Sequence, residues 1–237
     1  MRMRKKKHGL ERLDLCREYI YTPCGEPLED PAAQIFDKEG APVYLEIGAG
    51  KGGFAVGMVK AHKDACYIAL ERVTDCVVLA AEHAREEGLS DRLRFTIDTA
   101  DNLTRMLSPG TVDRIFLNFS DPWSKKGYAK RRLTHRRYLA VYFSLLKPNG
   151  VLRFKTDNVG LFDFTLEELK DIGVDPRIVT RDLHASEWND GNIVTEYESA
   201  FSAKGVPINM LEIVRPDNVT LEIPDDLKAD RKNYRSN

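Results

Sequence analysis

The run Val43-Tyr44-Leu45-Glu46-Ile47, followed at once by Gly48-Ala49-Gly50-Lys51-Gly52-Gly53, decides the fold. A β-prone run breaking into glycines opens a tight turn and lets a ligand approach the backbone. Gly48, Gly50 and Gly53 fit GxGxxG, while Gly48, Gly50 and Gly52 fit GxGxG. The motif alone serves NAD and other adenosine cofactors equally. Outward from it, further β-prone runs cover Cys66–Glu71, 93–98, 113–119 and 151–156. Between them, Val73, Val77, Ala80, Ala81 and Ala84 recur at helical spacing, as do Tyr138, Val141, Tyr142, Leu145 and Leu146 before the Pro148-Asn149-Gly150 turn. The alternation predicts an α/β fold, a mainly parallel twisted sheet with helices on both faces.

At 237 residues and 42% apolar content the chain suits one domain with a full core. Its apolar runs fall short of the ~18 residues of a membrane span, and no apolar stretch follows the basic N-terminus as in a signal peptide. Cys16, Cys24, Cys66 and Cys76 form no CxxC pair. They read as reduced thiols of a cytoplasmic protein, without a disulfide frame or metal site.

The net charge of −1 conceals an asymmetry. Residues 1–7 carry five cations and no acid, and residues 125–137 (KKGYAKRRLTHRR) carry seven and no acid. The other 217 residues hold 24 Lys and Arg against 37 Asp and Glu. An acidic body with two concentrated basic stretches points to local docking of a polyanion. After about residue 215 the chain turns polar, which predicts a tail over 215–237 with one short strand at 219–223.

In open α/β sheets, ligands sit beyond the carboxyl ends of the strands. Glu71 ends the second strand, 23 residues past Gly48, where an acid can take both hydroxyls of a ribose. Asp98 and Thr99 end the third, placed for an adenine edge. The fourth ends in Asn118-Phe119-Ser120-Asp121-Pro122-Trp123 and runs straight into the basic block. An acid, a rigid proline and a large aromatic at the mouth of the cleft thus adjoin a grip for an anionic substrate. By pattern alone Thr195-Glu196-Tyr197-Glu198 reads as a strand with alternating faces.

The string 118–126, with Lys130-Arg131-Arg132-Leu133-Thr134, resembles the signature of the bacterial tRNA (guanine-N7)-methyltransferases. The similarity continues through Phe154-Lys155-Thr156-Asp157-Asn158, Asp182-Leu183-His184, Gly191-Asn192-Ile193 and Thr195-Glu196-Tyr197-Glu198, and spans about residues 1–214. It implies a Rossmann-like class I methyltransferase domain over 1–214, with a basic N-terminal extension over about 1–40. It implies S-adenosyl-L-methionine as donor and a guanine in the variable loop of tRNA, position 46, as acceptor. Carried over residue by residue, Glu46, Gly48, Gly50, Glu71, Asp98, Thr99 and Asp121 would contact the donor, with Asp121 catalytic. Lys125, Asp157, Thr195, Glu196, Tyr197 and Glu198 would hold the substrate, and Gly127, Tyr128, Ala129, Lys130, Arg131 and Arg132 would meet RNA. No membrane or obligatory protein partner is implied, and the chain is expected to act as a monomer or homodimer. Ser124 stands where the family has proline, and Gly127-Tyr128-Ala129 where it has a more basic triplet. Two other readings stay open here: an NAD-dependent oxidoreductase using the glycines and Glu71, and an RNA-binding protein without activity.

Overall fold

A computed structural model describes residues 8–229, so the basic stretch 1–7 lies outside the described residues. The strands are β1 (Val43–Ile47), β2 (Cys66–Glu71), β3 (Leu93–Ile97), β4 (Val112–Asn118), β5 (Leu146–Thr156), β6 (Ile178–Thr180) and β7 (Asn209–Val214). They form one sheet of order β3-β2-β1-β4-β5-β7-β6, parallel except where β7 runs antiparallel between β5 and β6. The helices are α1 (Gly9–Asp14), α2 (Pro31–Phe36), α3 (Gly53–Ala61), α4 (Thr74–Glu86), α5 (Leu103–Met106), α6 (Arg136–Leu145), α7 (Val159–Asp171) and α8 (Glu196–Ser202).

All five residues of β1 are buried, as a central parallel strand covered on both faces requires. Leu45 and Ile47 join a core with residues of α2, α6 and α7, while Tyr44 joins one with α3 and α4 around Tyr67, Phe95 and Phe116. The helical positions Val77, Ala80, Ala81 and Ala84 are fully buried. Val73 instead caps α4 from outside, partly exposed. The small α4 residues admit the glycine turn. Gly52 sits at φ 79°, and a Cβ there would come within 2.8 Å of the Ala80 methyl.

The N-terminal extension covers the β3 edge, where a bare strand invites stray pairing. Tyr21 N–H donates to Phe95 O at 2.9 Å, Thr96 Oγ1 donates to Tyr21 O at 3.1 Å, and Arg12 pairs with Glu82 of α4.

Three expectations need correction. Residues 219–223 form no strand; Val219, Leu221 and Ile223 pack sideways onto the core, and Leu227 is buried with its carbonyl accepting from Thr104 Oγ1. The side chains of this segment are held by the core without a partner strand. The Pro148-Asn149-Gly150 turn does not precede β5 but interrupts it: Asn149 takes φ 62°, and pairing with β4 jumps from Leu146 to Val151. Thr195-Glu196-Tyr197-Glu198 is not a strand. Thr195 caps α8 and accepts from Glu198 N–H at 2.9 Å, while Glu198 accepts from Thr195 N–H at 3.3 Å. This is a capping box, for which T-x-x-E is the sequence signature.

Candidate active site

The carboxyl ends of β1–β4 enclose a cleft of about 520 Å³ whose lining includes Gly48, Glu71, Asp98, Thr99, Ser120 and Asp121. A larger cavity of about 810 Å³ opens at the amino ends of the strands, near Cys24, Leu107 and Ile223, and holds none of the expected site residues.

On the β1–β3 side each acid is fixed by its neighbours. Glu71 accepts from Gly50 N–H at 3.0 Å and from Val73 N–H at 2.9 Å, so the glycine turn and the start of α4 orient its carboxylate. Asp98 Oδ1 accepts from Thr99 N–H at 2.7 Å and Asn102 Nδ2 at 2.6 Å. Both Asp98 and Thr99 therefore reach the cleft, with Asp98 supplying the charge. Asp101, which closes the strand-three end Asp98-Thr99-Ala100-Asp101, and Tyr138, read from the sequence only as a helix position, join them there through a 2.7 Å hydrogen bond donated by the tyrosine. Burial and the Asp101 carboxylate push the Tyr138 hydroxyl well above its ordinary pKa.

Glu46 is elsewhere. Its side chain is on the α3 face, 2% exposed, outside the residues lining the cleft. It accepts from Asn118 Nδ2 at 3.1 Å and Tyr67 OH at 3.4 Å. Burial pushes its pKa up to about 7, against the opposing pull of Asn118, Lys155 and Tyr67. Strand alternation, which a list of strand-end acids ignores, puts it under the floor of the cleft.

The loop after β4 is strained. Phe119 has φ 52° and Trp123 φ 41°, both bulky aromatics in the left-handed region. Such outliers cost about 1–3 kcal/mol each and gather at functional sites. Arg132 braces the loop by donating to Pro122 O at 3.0 Å and Trp123 O at 3.1 Å. Arg131 lies 5.0 Å from the Trp123 ring and 4.8 Å from that of Tyr128. Asp121 projects into the cleft mouth with its side chain 65% exposed, 3.3 Å from Arg72.

The basic block divides sharply. Arg136 pairs with Glu168 and Asp171, and Arg137 with Asp226. Among the described residues Lys125, Lys126 and Lys130 have no ion pair and stand exposed beside the strained loop. Gly127, Tyr128 and Ala129 lie with Lys130 in a 3-10 turn over Lys126–Arg131.

Beyond β5 the expected substrate residues separate into two kinds. Burial, and then the nearby Asp157 carboxylate, raise the pKa of the Tyr197 hydroxyl; its ring stacks on Phe201 at 4.3 Å and meets Phe119 at 5.0 Å, remaining 45% exposed. Glu196 is exposed and pairs with Lys51. Glu198 is fully enclosed. Lys155 Nζ donates to it at 2.6 Å, Asn192 Nδ2 at 2.8 Å, and His184 Nε2 lies 2.8 Å away. Burial alone would raise its pKa, but Lys155, Asn192 and His184 together hold it below the ordinary carboxylate value.

The Methyltransf_4 methyltransferase family model, that of the tRNA (guanine-N7)-methyltransferases, matches residues 40–211. The chain belongs to this methyltransferase family. Solved structures agree on the methyltransferase fold. The 16S rRNA methyltransferase KamB superimposes with a TM-score of 0.59 at 10% identity, over 80% of this chain and 94% of that one. An antibiotic-related methyltransferase gives 0.55 at 15%, over 77% and 90%. The geranyl diphosphate C-methyltransferase of Streptomyces coelicolor A3(2), solved with S-adenosyl-L-homocysteine, gives 0.50 at 16%, over 90% and 94%. The Rossmann-like class I fold of S-adenosylmethionine-dependent methyltransferases is thus the fold of this methyltransferase.

Proposed function

We propose that the chain transfers a methyl group from S-adenosyl-L-methionine to N7 of a guanine in the variable loop of tRNA, position 46, forming 7-methylguanosine. The observation that carries this reading is the strained loop 118–123, which joins the glycine-turn cleft to the free lysines 125, 126 and 130 in a chain of this family.

Ribose hydroxyls suit Glu71, whose carboxylate the turn already orients. Adenine suits the cleft end bounded by Asp98, Thr99 and Ala100. Gly48 and Asp121, which line the rest of the cleft, would then hold the methyl-bearing end of the donor. Guanine N7 carries a lone pair and no proton, an acceptor on the major-groove edge. Its attack on the methyl needs no base, so alignment of the two reactants supplies much of the acceleration. Positive charge passes from sulfur to the guanine ring, and Asp121 favours that developing charge. Tyr197 and Asp157 offer a wall for the base, and the free lysines take phosphates.

The test is transfer of labelled methyl from S-adenosylmethionine to unmodified tRNA, followed by chemical cleavage at 7-methylguanosine. Cleavage at one variable-loop guanine is expected. Donor and tRNA binding without transfer would mean an RNA-binding protein, and absence of donor binding would return the glycine turn to a dinucleotide.

A further inference from the structure

The cleft lining holds four carboxylates, Glu71, Asp98, Asp101 and Asp121, against two guanidinium groups, Arg72 and Arg131. Three of the carboxylates are satisfied by amides or a hydroxyl. Arg131 rests on the Trp123 and Tyr128 rings. Among the described residues, only Asp121 of the four is balanced by a cation: Arg72, at 3.3 Å.

The topology makes this pair unusual. Arg72 follows β2, Asp121 follows β4, and β1 lies between them. Two strand spacings separate the anchors, roughly 10 Å. The ion pair therefore crosses above the Gly48–Gly50 turn, the path a donor takes from Glu71 toward Asp121. Both side chains are more than half exposed, so the pair is weak and exchangeable.

Resting on the donor reading above, we infer that Arg72 is a counter-ion that the donor's sulfonium displaces from Asp121, so that the pair holds down affinity for the charged donor and leaves that for the neutral product unchanged. In the empty cleft Asp121 is paired with Arg72. When S-adenosylmethionine binds, its positive sulfur takes that place and the Arg72 side chain swings outward. In the transfer step the C–S bond breaks with its electron pair left on sulfur, while the N7 lone pair forms the new N–C bond. The thioether that remains is neutral, and Arg72 returns to Asp121 as the product leaves. The same competition sets the limit: an exposed ion pair shifts affinity by about two- to five-fold and no more.

Calorimetric titration of the full chain with three ligands tests the exchange: S-adenosylmethionine, sinefungin (an amine in place of the sulfonium) and S-adenosylhomocysteine (a thioether). Arg72→Met should bind the two cationic ligands about two- to five-fold more tightly and the thioether no better than the parent does. In an Asp121→Asn background the same substitution should change none of the three. Equal tightening of all three would make Arg72 a steric bar and overturn the exchange. No tightening of any would overturn it as well. If the parent binds none of the three, the donor reading fails, and the exchange with it.

Discussion

The two sides of the cleft are built on opposite principles. On the β1–β3 side, positive φ falls on glycines 48, 50 and 52, where it costs little, and each lining acid is tied to a backbone amide or a hydroxyl. On the β4–α8 side, positive φ falls on Phe119 and Trp123, and much of the polar surface is held by exchangeable cations or left free. The first side is pre-shaped for one small ligand of fixed outline. The second presents charge and aromatic surface to something larger that completes it. Its rigidity comes from behind, through the buried Lys155–Glu198 pair, with 1% and 0% of those side chains exposed.

That anchor is where the contrast breaks most severely. Lys155→Met leaves the Glu198 carboxylate buried without its cation, a change that costs about 3–5 kcal/mol. Thermal unfolding should show the loss, and an unchanged midpoint would mean that α8 is held by other contacts. Next comes Asp121→Asn, expected to cut turnover by ~10² or more while donor affinity stays within the few-fold range of an exposed ion pair. A large loss of donor binding with normal turnover at saturation would move Asp121 to the binding side of the comparison.

A smaller effect sharpens the division of the basic block. Lys125, Lys126 and Lys130 changed together to Ala should lower the salt slope of tRNA binding by about three, one per lost phosphate contact. Arg136→Ala, which removes a residue paired with Glu168 and Asp171, should leave that slope unchanged. The smallest effect concerns Glu46. Its folded pKa of about 7 lies above the ordinary carboxylate value, so the folded state binds a proton the unfolded state has released, and stability falls as pH rises from about 4.5 to 7. Glu46→Gln removes this slope and should gain on the parent by about 1 kcal/mol, or roughly 2–4 °C, between pH 5 and pH 6. A constant difference across that range would mean that Glu46 titrates normally.

Much of the fold was legible along the chain because local patterns carry it. The glycine turn, the buried run of β1, the small-residue face of α4 and the acid ending β2 each follow from a few adjacent residues. Residues 178–180 and 209–214 escaped notice: the first is a three-residue edge strand with little periodic signal, and the second is buried on both faces, so that it shows no alternation. The T-x-x-E capping box at Thr195 was readable, yet its alternation mimics a strand over four residues. The pairing of Tyr138 with Asp101 carried no signal, since their meeting depends on α6 packing beside the end of β3.

By itself, the sequence determined the strand-to-glycine turn, the order of alternating elements and the family, because backbone freedom and hydrophobic period are local properties. Only the tertiary structure decided which charges are free. It sent Glu46 beneath the cleft floor, enclosed Glu198 against Lys155, tied Arg136 and Arg137 to acids distant in the chain, and set Arg72 across from Asp121. A charge is exposed, paired or buried according to what the fold brings beside it, and spacing along the chain does not encode that.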